Sequence, residues 1–250
     1  EPYRRQRQMC IRDRYASEQI EADLNGYVNR MLAHEPLPYI LGQWDFYGIS
    51  LEVTPDVLIP RDDTMAVTDL ALEVLRTGHP SPRVLDLCCG SGCIACAIAN
   101  ELPAARVVAA DISPSALEVC RKNIKDNKLT SRIIPMNADA TTWPPMSIGS
   151  FDVIVSNPPY IPSFELIELD CSVRDYEPMT ALDGGEDGLM FYRAIVQHWT
   201  QILRPGGWLM FEVGEDQADA VMALMKDAKY TDVTALEDTA GIRRVVVGRI

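Results

Sequence analysis

The chain contains 250 residues, of which 47% are hydrophobic and 24% are charged, a composition typical of folded globular proteins rather than disordered ones. Its 36 acidic residues exceed its 23 lysines and arginines, and the formal net charge of −13 argues against a protein that holds polyanions on a basic surface. The sequence shows neither an apolar run of about 18 residues nor an apolar signal segment at its start, so we expect no membrane attachment.

The N-terminal region predicts one helix behind a basic tail. Residues 1–14 carry five arginines in an otherwise acidic chain and show no amphipathic period, which favours a disordered or foreign tail over a nucleic-acid-binding arm. From Ser17 to Ala33, apolar residues recur at the spacing of one helix face. Glu35-Pro36 ends this helix, because proline disfavours the helical conformation in the residue before it.

Strands and helices alternate through the remainder of the chain. Residues 43–59 predict a β-hairpin with its turn at Tyr47-Gly48, and Asp62 or Asp63 is expected to cap a helix that runs to about residue 75. The other predicted strands are 84–87, 106–110, 132–136, 151–156, 208–213 and 243–247. The other predicted helices are 93–102, 115–127, 188–203 and 217–226. This alternation predicts a largely parallel sheet with helices on both faces, and a ligand site beyond the carboxyl ends of its strands.

A glycine loop follows the strand that ends at residue 87. Residues 90–95 (GSGCIA) fit the pattern G-x-G-x-x-G/A, in which glycines permit a tight turn and the close approach of a ligand. Asp111 stands 19 residues after Gly92, at the end of the next strand, where a carboxylate can accept hydrogen bonds from both ribose hydroxyls. Strand, loop, helix and acid together predict either a nicotinamide dinucleotide or S-adenosylmethionine as cofactor.

Two further acids favour S-adenosylmethionine. Asp86 lies just before the loop, where its charge favours a cationic sulfonium ligand over a pyrophosphate; alternatively, it caps the loop's own amides. Asp139 follows the third strand of the sheet and is placed for an adenine or ribose contact; alternatively, it belongs to a plain turn or helix cap. The sequence also lacks a convincing catalytic histidine or Tyr-x-x-x-Lys pattern, which disfavours a dehydrogenase.

The seven cysteines favour a reducing, cytoplasmic compartment, because four of them fall within nine residues and an odd total is unlike a disulfide framework. Cys93 and Cys96 have the C-x-x-C spacing of metal and redox sites. However, neither a second cysteine pair nor a histidine cluster lies nearby in the sequence to complete four ligands. We therefore interpret the cysteines as small apolar side chains and predict no metal.

The segment Asn157-Pro158-Pro159-Tyr160 directly follows an apolar strand. Its two prolines fix φ and remove two backbone donors, so the turn offers acceptors: the Asn157 side-chain oxygen and the Pro158 carbonyl. These acceptors suit a planar –NH2 group, with Tyr160 stacked on its flat face. They would push electron density onto an amide or amino-aromatic nitrogen and aim its lone pair at a sulfonium methyl group. Positioning and electrostatics would then carry most of the catalysis.

Three longer stretches resemble one known family: residues 35–42 (EPLPYILG), residues 58–64 (LIPRDDT) and residues 176–189, which contain YEP and ALDGGEDGL. With the glycine loop, Asp111 and the Asn-Pro-Pro-Tyr turn, they make residues 17–250 similar to the peptide chain release factor glutamine methyltransferases (HemK/PrmC family). This family belongs to the class I S-adenosylmethionine-dependent methyltransferases. Asp62, Met65 and Cys88 depart from it, because it usually has proline, an acid and glycine at these positions.

The resemblance implies an α/β fold with a Rossmann-like, seven-stranded, mostly parallel sheet and helices on both faces, plus a short N-terminal helical segment and a β-hairpin. It implies methyl transfer from S-adenosylmethionine to N5 of the glutamine in the Gly-Gly-Gln motif of release factors. The implied cofactor-binding residues are Cys88, Cys89, Gly90, Ser91, Gly92, Asp111, Asp139, Ala140 and Asn157. The implied substrate-binding residues are Asn157, Pro158, Pro159 and Tyr160, and the implied catalytic residues are Asn157, Pro158 and Tyr160.

The resemblance also divides the chain and names a partner. Residues 1–42 are expected to hold the basic tail and a short helical segment, a truncated form of the family's N-terminal domain. Residues 43–250 are expected to form the methyltransferase domain. The expected partner is a release factor, which is the protein substrate; we expect no nucleic-acid binding and a monomer.

Several alternatives stay open. The chain could methylate a ribosomal-protein glutamine, as a sister family does, or an exocyclic amine of a nucleic-acid base, although the net charge of −13 weighs against the latter. It could also be a catalytically silent nucleotide-binding adaptor, against which the intact Asn-Pro-Pro-Tyr turn argues. Trp143 is either an aromatic contact near the adenine side or a packing residue. Residues 184–188 form either a turn into the next helix or a lid beside the substrate.

Overall fold

The computed structural model describes residues 18–250, and the predicted basic tail lies outside the described residues. The hairpin strands are β1 (Gln43–Phe46) and β2 (Ile49–Glu52). The strands of the main sheet are β3 (Arg83–Leu87), β4 (Arg106–Asp111), β5 (Ile133–Asn137), β6 (Phe151–Ser156), β7 (Leu203–Glu212), β8 (Thr231–Glu237) and β9 (Arg243–Arg249). The α-helices of the described region are α1 (Glu18–Leu32), α2 (Leu37–Leu41), α3 (Thr64–Thr77), α4 (Cys93–Glu101), α5 (Pro114–Asp126), α6 (Cys171–Arg174), α7 (Met190–His198) and α8 (Ala218–Asp227).

The main sheet has the strand order β5-β4-β3-β6-β7-β9-β8. Strands β3 to β7 run parallel to their neighbours, whereas β9 runs antiparallel to both β7 and β8. The chain moves outward from β3 through β4 to β5 and then returns to β6 on the other side of β3. The switch point of the sheet therefore lies between β3 and β6, where open α/β sheets bind ligands. The predicted seven-stranded, mostly parallel sheet is confirmed.

Helices cover both faces of this sheet. One core layer contains Leu72, Ile98 and Leu117 from α3, α4 and α5. The opposite layer contains Ile195 of α7 and Val221 of α8. Central strands are buried on both faces, which is why they are continuous apolar runs in the sequence rather than alternating patterns. No helix within residues 18–250 is long and apolar enough to cross a membrane.

Asn123 of α5 ties the hairpin to the glycine loop at the end of β3. Its buried side chain accepts a hydrogen bond from the Glu52 amide at 2.7 Å and donates to the carbonyls of Glu52 and Ser91, each at 3.0 Å. These hydrogen bonds join the hairpin, α5 and the glycine loop. The predicted turn at Tyr47-Gly48 is confirmed, since Phe46 pairs with Ile49 across it.

The largest difference from the predicted elements is at the C-terminal edge. Strand β8 was not predicted, because it pairs with β9 alone and is mostly exposed, so it lacks an alternating apolar pattern. Strand β7 begins at Leu203 and not at residue 208. The residues Arg204 to Gly207 read as a turn, but they form a bulge: Phe151 pairs with Leu203 and Val153 with Trp208. Helix α7 accordingly ends at His198.

The expected capping position of α3 is confirmed, but the side-chain hydrogen bond of a cap is not formed. Asp63 occupies the capping position with helical dihedral angles and makes no side-chain cap hydrogen bond. Its carboxylate instead lies 3.5 Å from Nε of Arg244 on β9. Tertiary charge pairing has therefore replaced the local interaction that the sequence suggested.

Candidate active site

A cavity of about 410 Å3 opens at the carboxyl edge of the sheet. Cys88, Asp111, Asp139 and Asn157 line it, and each lies at or just beyond the end of β3, β4, β5 or β6. This volume falls within the range of small-molecule sites. The structure thus places a ligand-sized cavity at the edge of the sheet where the sequence predicted one.

Nine of the twelve predicted site residues line the cavity, namely Cys88, Cys89, Gly90, Ser91, Asp111, Asp139, Ala140, Asn157 and Pro159. Gly92, Pro158 and Tyr160 do not line it, although each is next in the chain to a residue that does. The cavity also has lining residues that the sequence analysis did not single out, including Pro60, Thr180 and Phe191. They come from the segment after the hairpin, the segment before α7 and α7 itself.

The glycine loop has the backbone of a tight cradle. Gly92 has a φ of 79°, and a Cβ there would lie 2.7 Å from the sulfur of Cys120, so only glycine lets α5 approach the start of α4. Cys88 adopts a φ of 63° without being glycine. A Cβ on Gly90 would meet no atom within 4 Å, so the loop leaves open space at this cavity-lining position. This space is what a ligand packed against the loop backbone requires.

Asp86 is fully buried beneath the loop. One carboxylate oxygen accepts a hydrogen bond from the amide of Ala95 in the first turn of α4 at 2.9 Å. The other has no hydrogen-bond partner among the described residues, and Asp86 does not line the cavity. Burial raises the pKa of this carboxyl to about 7. This geometry supports the capping interpretation, and a contribution of its charge to cofactor choice stays a prediction.

Replacing Asp86 with asparagine should flatten the pH dependence of stability. The carboxyl ionises near pH 3.8 in the unfolded chain but near pH 7 in the folded one. Between these values the unfolded state binds fewer protons, so wild-type stability falls as pH rises, by up to about 4 kcal/mol from this group at pH 7. Urea unfolding at several pH values measures the slope. Asp126→Asn, at an exposed aspartate, should keep the wild-type slope; an unchanged slope in Asp86→Asn would contradict the burial argument.

Asp111 and Asp139 line the cavity at or just beyond the ends of β4 and β5. Asp111 accepts hydrogen bonds from the amides of Gly90 at 2.8 Å and Ser113 at 2.9 Å, so it joins the glycine loop to the start of α5. Each oxygen retains a lone pair for a further donor. Asp139 accepts hydrogen bonds from the amide and hydroxyl of Thr141 at 2.8 Å and 2.6 Å. Asp139 therefore belongs to a turn and also lines the cavity.

The Asn-Pro-Pro-Tyr corner presents acceptors at the end of β6. Nδ2 of Asn157 donates to Oγ1 of Thr64 at 3.2 Å, which leaves Oδ1 on the other side of the carboxamide. Within residues 18–250, no hydrogen bond reaches Oδ1 of Asn157 or the carbonyl of Pro158. The two predicted acceptors are therefore unpaired among the described residues; Asn157 lines the cavity, whereas Pro158 does not.

The backbone on the far side of the corner is held by one glutamine. Nε2 of Gln217 donates to the carbonyls of Tyr160 at 2.7 Å and Gly188 at 3.3 Å, and its Oε1 accepts from the amide of Gly214 at 3.0 Å. Burial raises the pKa of Tyr160 to about 12, so its hydroxyl stays neutral. The segment at 184–188 is a glycine turn that leads into α7 and packs against Tyr160.

Two polar residues behind the corner were missed by the sequence analysis. Thr64 begins α3, Glu212 ends β7, and both are almost completely buried. Burial raises the pKa of Glu212 to about 7, and the neighbouring Thr64 and Asn157 side chains act in the opposite direction. The available signal was a single acid at the end of the apolar run Trp208 to Val213. A buried acid in that position is unusual enough to mark a site.

Glu177 is a second acid that the sequence analysis missed, and it joins two segments that line the cavity. The buried carboxylate of Glu177 accepts a hydrogen bond from the amide of Ile59 at 3.1 Å and pairs with the guanidinium of Arg61. These contacts fasten the segment after the hairpin to the segment that precedes α7. Both segments contribute lining residues, among them Pro60 and Thr180.

Trp143 and the cysteines have structural surroundings. The Trp143 ring lies 4.5 Å from the His198 ring, is 58% exposed and does not line the cavity, which supports the packing interpretation. The six cysteines of the described region are free. Within residues 18–250, no group of three or more His, Cys, Asp or Glu side chains is arranged to hold a metal ion.

Comparison with known proteins agrees with this geometry. Residues 62–166 match the family model of the methyltransferase small domain. The release factor glutamine methyltransferase of Geobacter sulfurreducens is 44% identical over 229 residues, 92% of this chain and 78% of that protein. Its counterpart in Caulobacter vibrioides is 40% identical over 233 residues, 93% of this chain and 79% of that protein. The crystal structure of a methyltransferase from Pyrococcus furiosus covers 92% of this chain and 98% of its own with a TM-score of 0.58; at 17% identity it shows the fold alone.

Sheet order, glycine loop and cavity together define an S-adenosylmethionine-dependent methyltransferase of the α/β class. Within this class, the similarity to the two relatives over most of the chain identifies the family. The chain belongs to the release factor glutamine methyltransferase family. The resemblance predicted from residues 35–42, 58–64 and 176–189 is thereby confirmed.

Proposed function

We propose that this protein transfers the methyl group of S-adenosylmethionine to N5 of the glutamine in the Gly-Gly-Gln motif of a peptide chain release factor. The observation that carries the proposal is the corner at Asn157 and Pro158, whose two acceptors receive no hydrogen bond from residues 18–250. A glutamine side chain ends in a planar –NH2 group with two donors, which matches a pair of acceptors. The family relationship supports the same substrate.

The residues that would hold the cofactor come from four strand ends. When bound, S-adenosylmethionine supplies an electrophilic methyl group on a sulfonium. Asp111 has lone pairs left for ribose hydroxyls, and the backbone at Gly90 leaves open space beside it. Asp139 and Ala140 line the side of the cavity assigned to the adenine. These groups therefore fit a nucleoside whose ribose hydroxyls donate hydrogen bonds to Asp111.

The corner residues would perform the chemistry by positioning. Asn157 Oδ1 and the Pro158 carbonyl would each accept one N–H of the glutamine amide, and Tyr160 would lie against its flat face. Polarisation by two acceptors raises electron density on the amide nitrogen, whose lone pair is otherwise delocalised. The nitrogen would then form one bond to the methyl carbon as the carbon–sulfur bond breaks, with its electron pair kept by the sulfur, and would release one proton to solvent. Tyr160, with a pKa of about 12, stays protonated and is not the base.

A methylation assay tests this proposal directly. Purified protein, S-adenosylmethionine with a labelled methyl group and an intact release factor should give label on the Gly-Gly-Gln glutamine, as peptide mass spectrometry would show. The same release factor with that glutamine replaced by asparagine should stay unlabelled, because the amide would fall one methylene short of the corner. A ribosomal protein and an RNA offered alongside should also stay unlabelled. Absence of label from the wild-type release factor would overturn the proposal.

We place the methyltransferase domain at residues 43–250 and a short N-terminal segment before it. Tyr39 of α2 packs into a cluster with Val57 and Ala116 of that domain, and its hydroxyl donates to the Val57 carbonyl at 2.6 Å. We also propose a monomer in the cytoplasm that does not bind nucleic acid. The free cysteines and the net charge of −13 support this view.

A further inference from the structure

Glu212 is a buried acid with no role in the contacts described so far. It ends β7 and is 2% exposed. Ser156 of β6 pairs with Phe211 of β7, so the next residues, Asn157 and Glu212, are neighbours at the carboxyl edge of two parallel strands. Burying a carboxylate without full compensation costs several kcal/mol. Its presence directly behind the predicted catalytic asparagine therefore requires a physical reason.

Four side chains lie near the Glu212 carboxyl group. Burial raises the pKa of Glu212 most and the Asp63 carboxylate raises it further, whereas the Thr64 hydroxyl, the Arg244 guanidinium and the Asn157 carboxamide lower it. Arg244 has other partners, since its Nε lies 3.5 Å from carboxylate oxygens of both Asp63 and Asp238. Oε2 of Glu212 has no hydrogen-bond partner among the described residues. Glu212 and Thr64 therefore both lie beside the Asn157 carboxamide.

An ionised carboxylate fixes the direction of this small network, because it can only accept hydrogen bonds. The Thr64 oxygen accepts a hydrogen bond from Nδ2 of Asn157 at 3.2 Å, so the –NH2 of Asn157 faces Thr64. An ionised Glu212 on the neighbouring strand favours the same orientation, because it too must meet a donor. Oδ1 consequently faces away from Thr64.

We propose that Thr64 and Glu212 are positioning residues that together lock the Asn157 carboxamide with its oxygen toward the substrate amide. The inference rests on the proposed glutamine methylation and adds the residues that set its geometry. Without this lock the carboxamide can rotate and present its own –NH2 to the substrate –NH2. Two donors would then face each other and the acceptor would be lost.

A matched threonine series tests the contact between Thr64 and Asn157. Thr64→Val removes the hydroxyl at nearly constant volume and should lower kcat about 10- to 100-fold with little change in KM for the cofactor. Thr64→Ser keeps the hydroxyl and should restore kcat to near the wild-type value. Thr68→Val is the control, since Thr68 is also buried in α3 but its hydroxyl donates to the Thr64 carbonyl and does not reach the site. Equal activity in Thr64→Val and wild type would overturn the proposal.

A charge-swapped pair tests Glu212 itself. Assays run at a pH well above 7, the approximate pKa of Glu212, so that this carboxyl is ionised. Asn157→Asp alone should be nearly inactive, because two carboxylates then face each other. Combining it with Glu212→Gln restores one donor and one carboxylate with their positions exchanged. The double variant should recover at least about 10-fold in kcat over Asn157→Asp; no recovery, with both proteins folded, would contradict a direct interaction.

A measurement on the free protein separates this inference from the proposed function. The side-chain –NH2 signals of Asn157 in a 15N-labelled sample should shift in Thr64→Val and Glu212→Gln and stay unchanged in Thr68→Val. This result would support the lock even if the wild-type protein failed to methylate a release factor. Unshifted Asn157 signals in both variants would overturn the lock even if methylation were observed.

Discussion

Replacing Asn157 with alanine should abolish most methyl transfer while cofactor binding survives. The substitution removes the side-chain oxygen that would accept one N–H of the substrate amide, and the Pro158 carbonyl alone cannot orient the group. Loss of one preorganised hydrogen bond at a reacting centre typically costs about 10²- to 10³-fold in kcat. The expected kcat is therefore at least about 100-fold below that of the wild type, measured in single-turnover assays with a release factor.

Cofactor affinity provides the internal check on this variant. The loop at residues 88–92 and Asp111 are untouched, so the dissociation constant for S-adenosylmethionine, measured by calorimetry, should stay within a few-fold of the wild-type value. Asn100→Ala, at an exposed asparagine on α4, should be fully active and guards against a general effect of removing an amide. An Asn157→Ala protein that keeps more than a tenth of wild-type kcat would remove the corner from the mechanism.

Replacing Gly188 with alanine should damage both stability and activity. Its φ of 70° is unfavourable for alanine, and the added Cβ would lie 2.5 Å from Nε2 of Gln217 and closer still to the Tyr160 carbonyl. The hydrogen bond of 2.7 Å that holds the corner would have to break. Backbone strain and overpacking together should lower the free energy of unfolding by about 2–5 kcal/mol, as urea denaturation would show.

Gly241→Ala separates strain from crowding. Gly241 has a similar φ of 80°, but a Cβ there would meet no atom within 4 Å. This control should therefore lose about 1–2 kcal/mol and no activity. Methylation by Gly188→Ala should fall at least about 10-fold even where the variant is fully folded, because a misplaced Tyr160 backbone shifts the acceptors. Equal losses in the two variants would show that the turn at 184–188 does not support the corner.

Local sequence patterns predicted the strands and helices well where a strand is buried on both of its faces. Strand β6 matches its predicted bounds, 151–156, and the helices on both sides of the glycine loop differ by one or two residues. Apolar runs buried on two faces leave a strong signal. The exposed edge strand β8 has no alternating apolar pattern from which it could be predicted. The bulge at the start of β7 was not predicted, because its proline and glycines are typical of a turn.

The sequence predicted part of the candidate site. Residues that set the backbone conformation, such as Gly92 and Pro158, are recognisable in the sequence because few residue types can replace them. The roles of the acidic residues were harder to predict. Asp86 precedes the loop as a cofactor contact would, yet the structure buries it under α4, where it caps an amide.

The sequence by itself determined the class of sheet, the glycine loop, the acceptor-rich corner and the family, because each depends on residues that are adjacent or regularly spaced. Only the tertiary structure decided which side chains stand behind the corner. Thr64 and Asn157 are 93 positions apart in the chain, and Glu212 reaches them through the pairing of β6 with β7. The physical reason is that a hydrogen-bond network depends on the register of strands and the packing of a helix across them, and neither leaves a local pattern in the sequence.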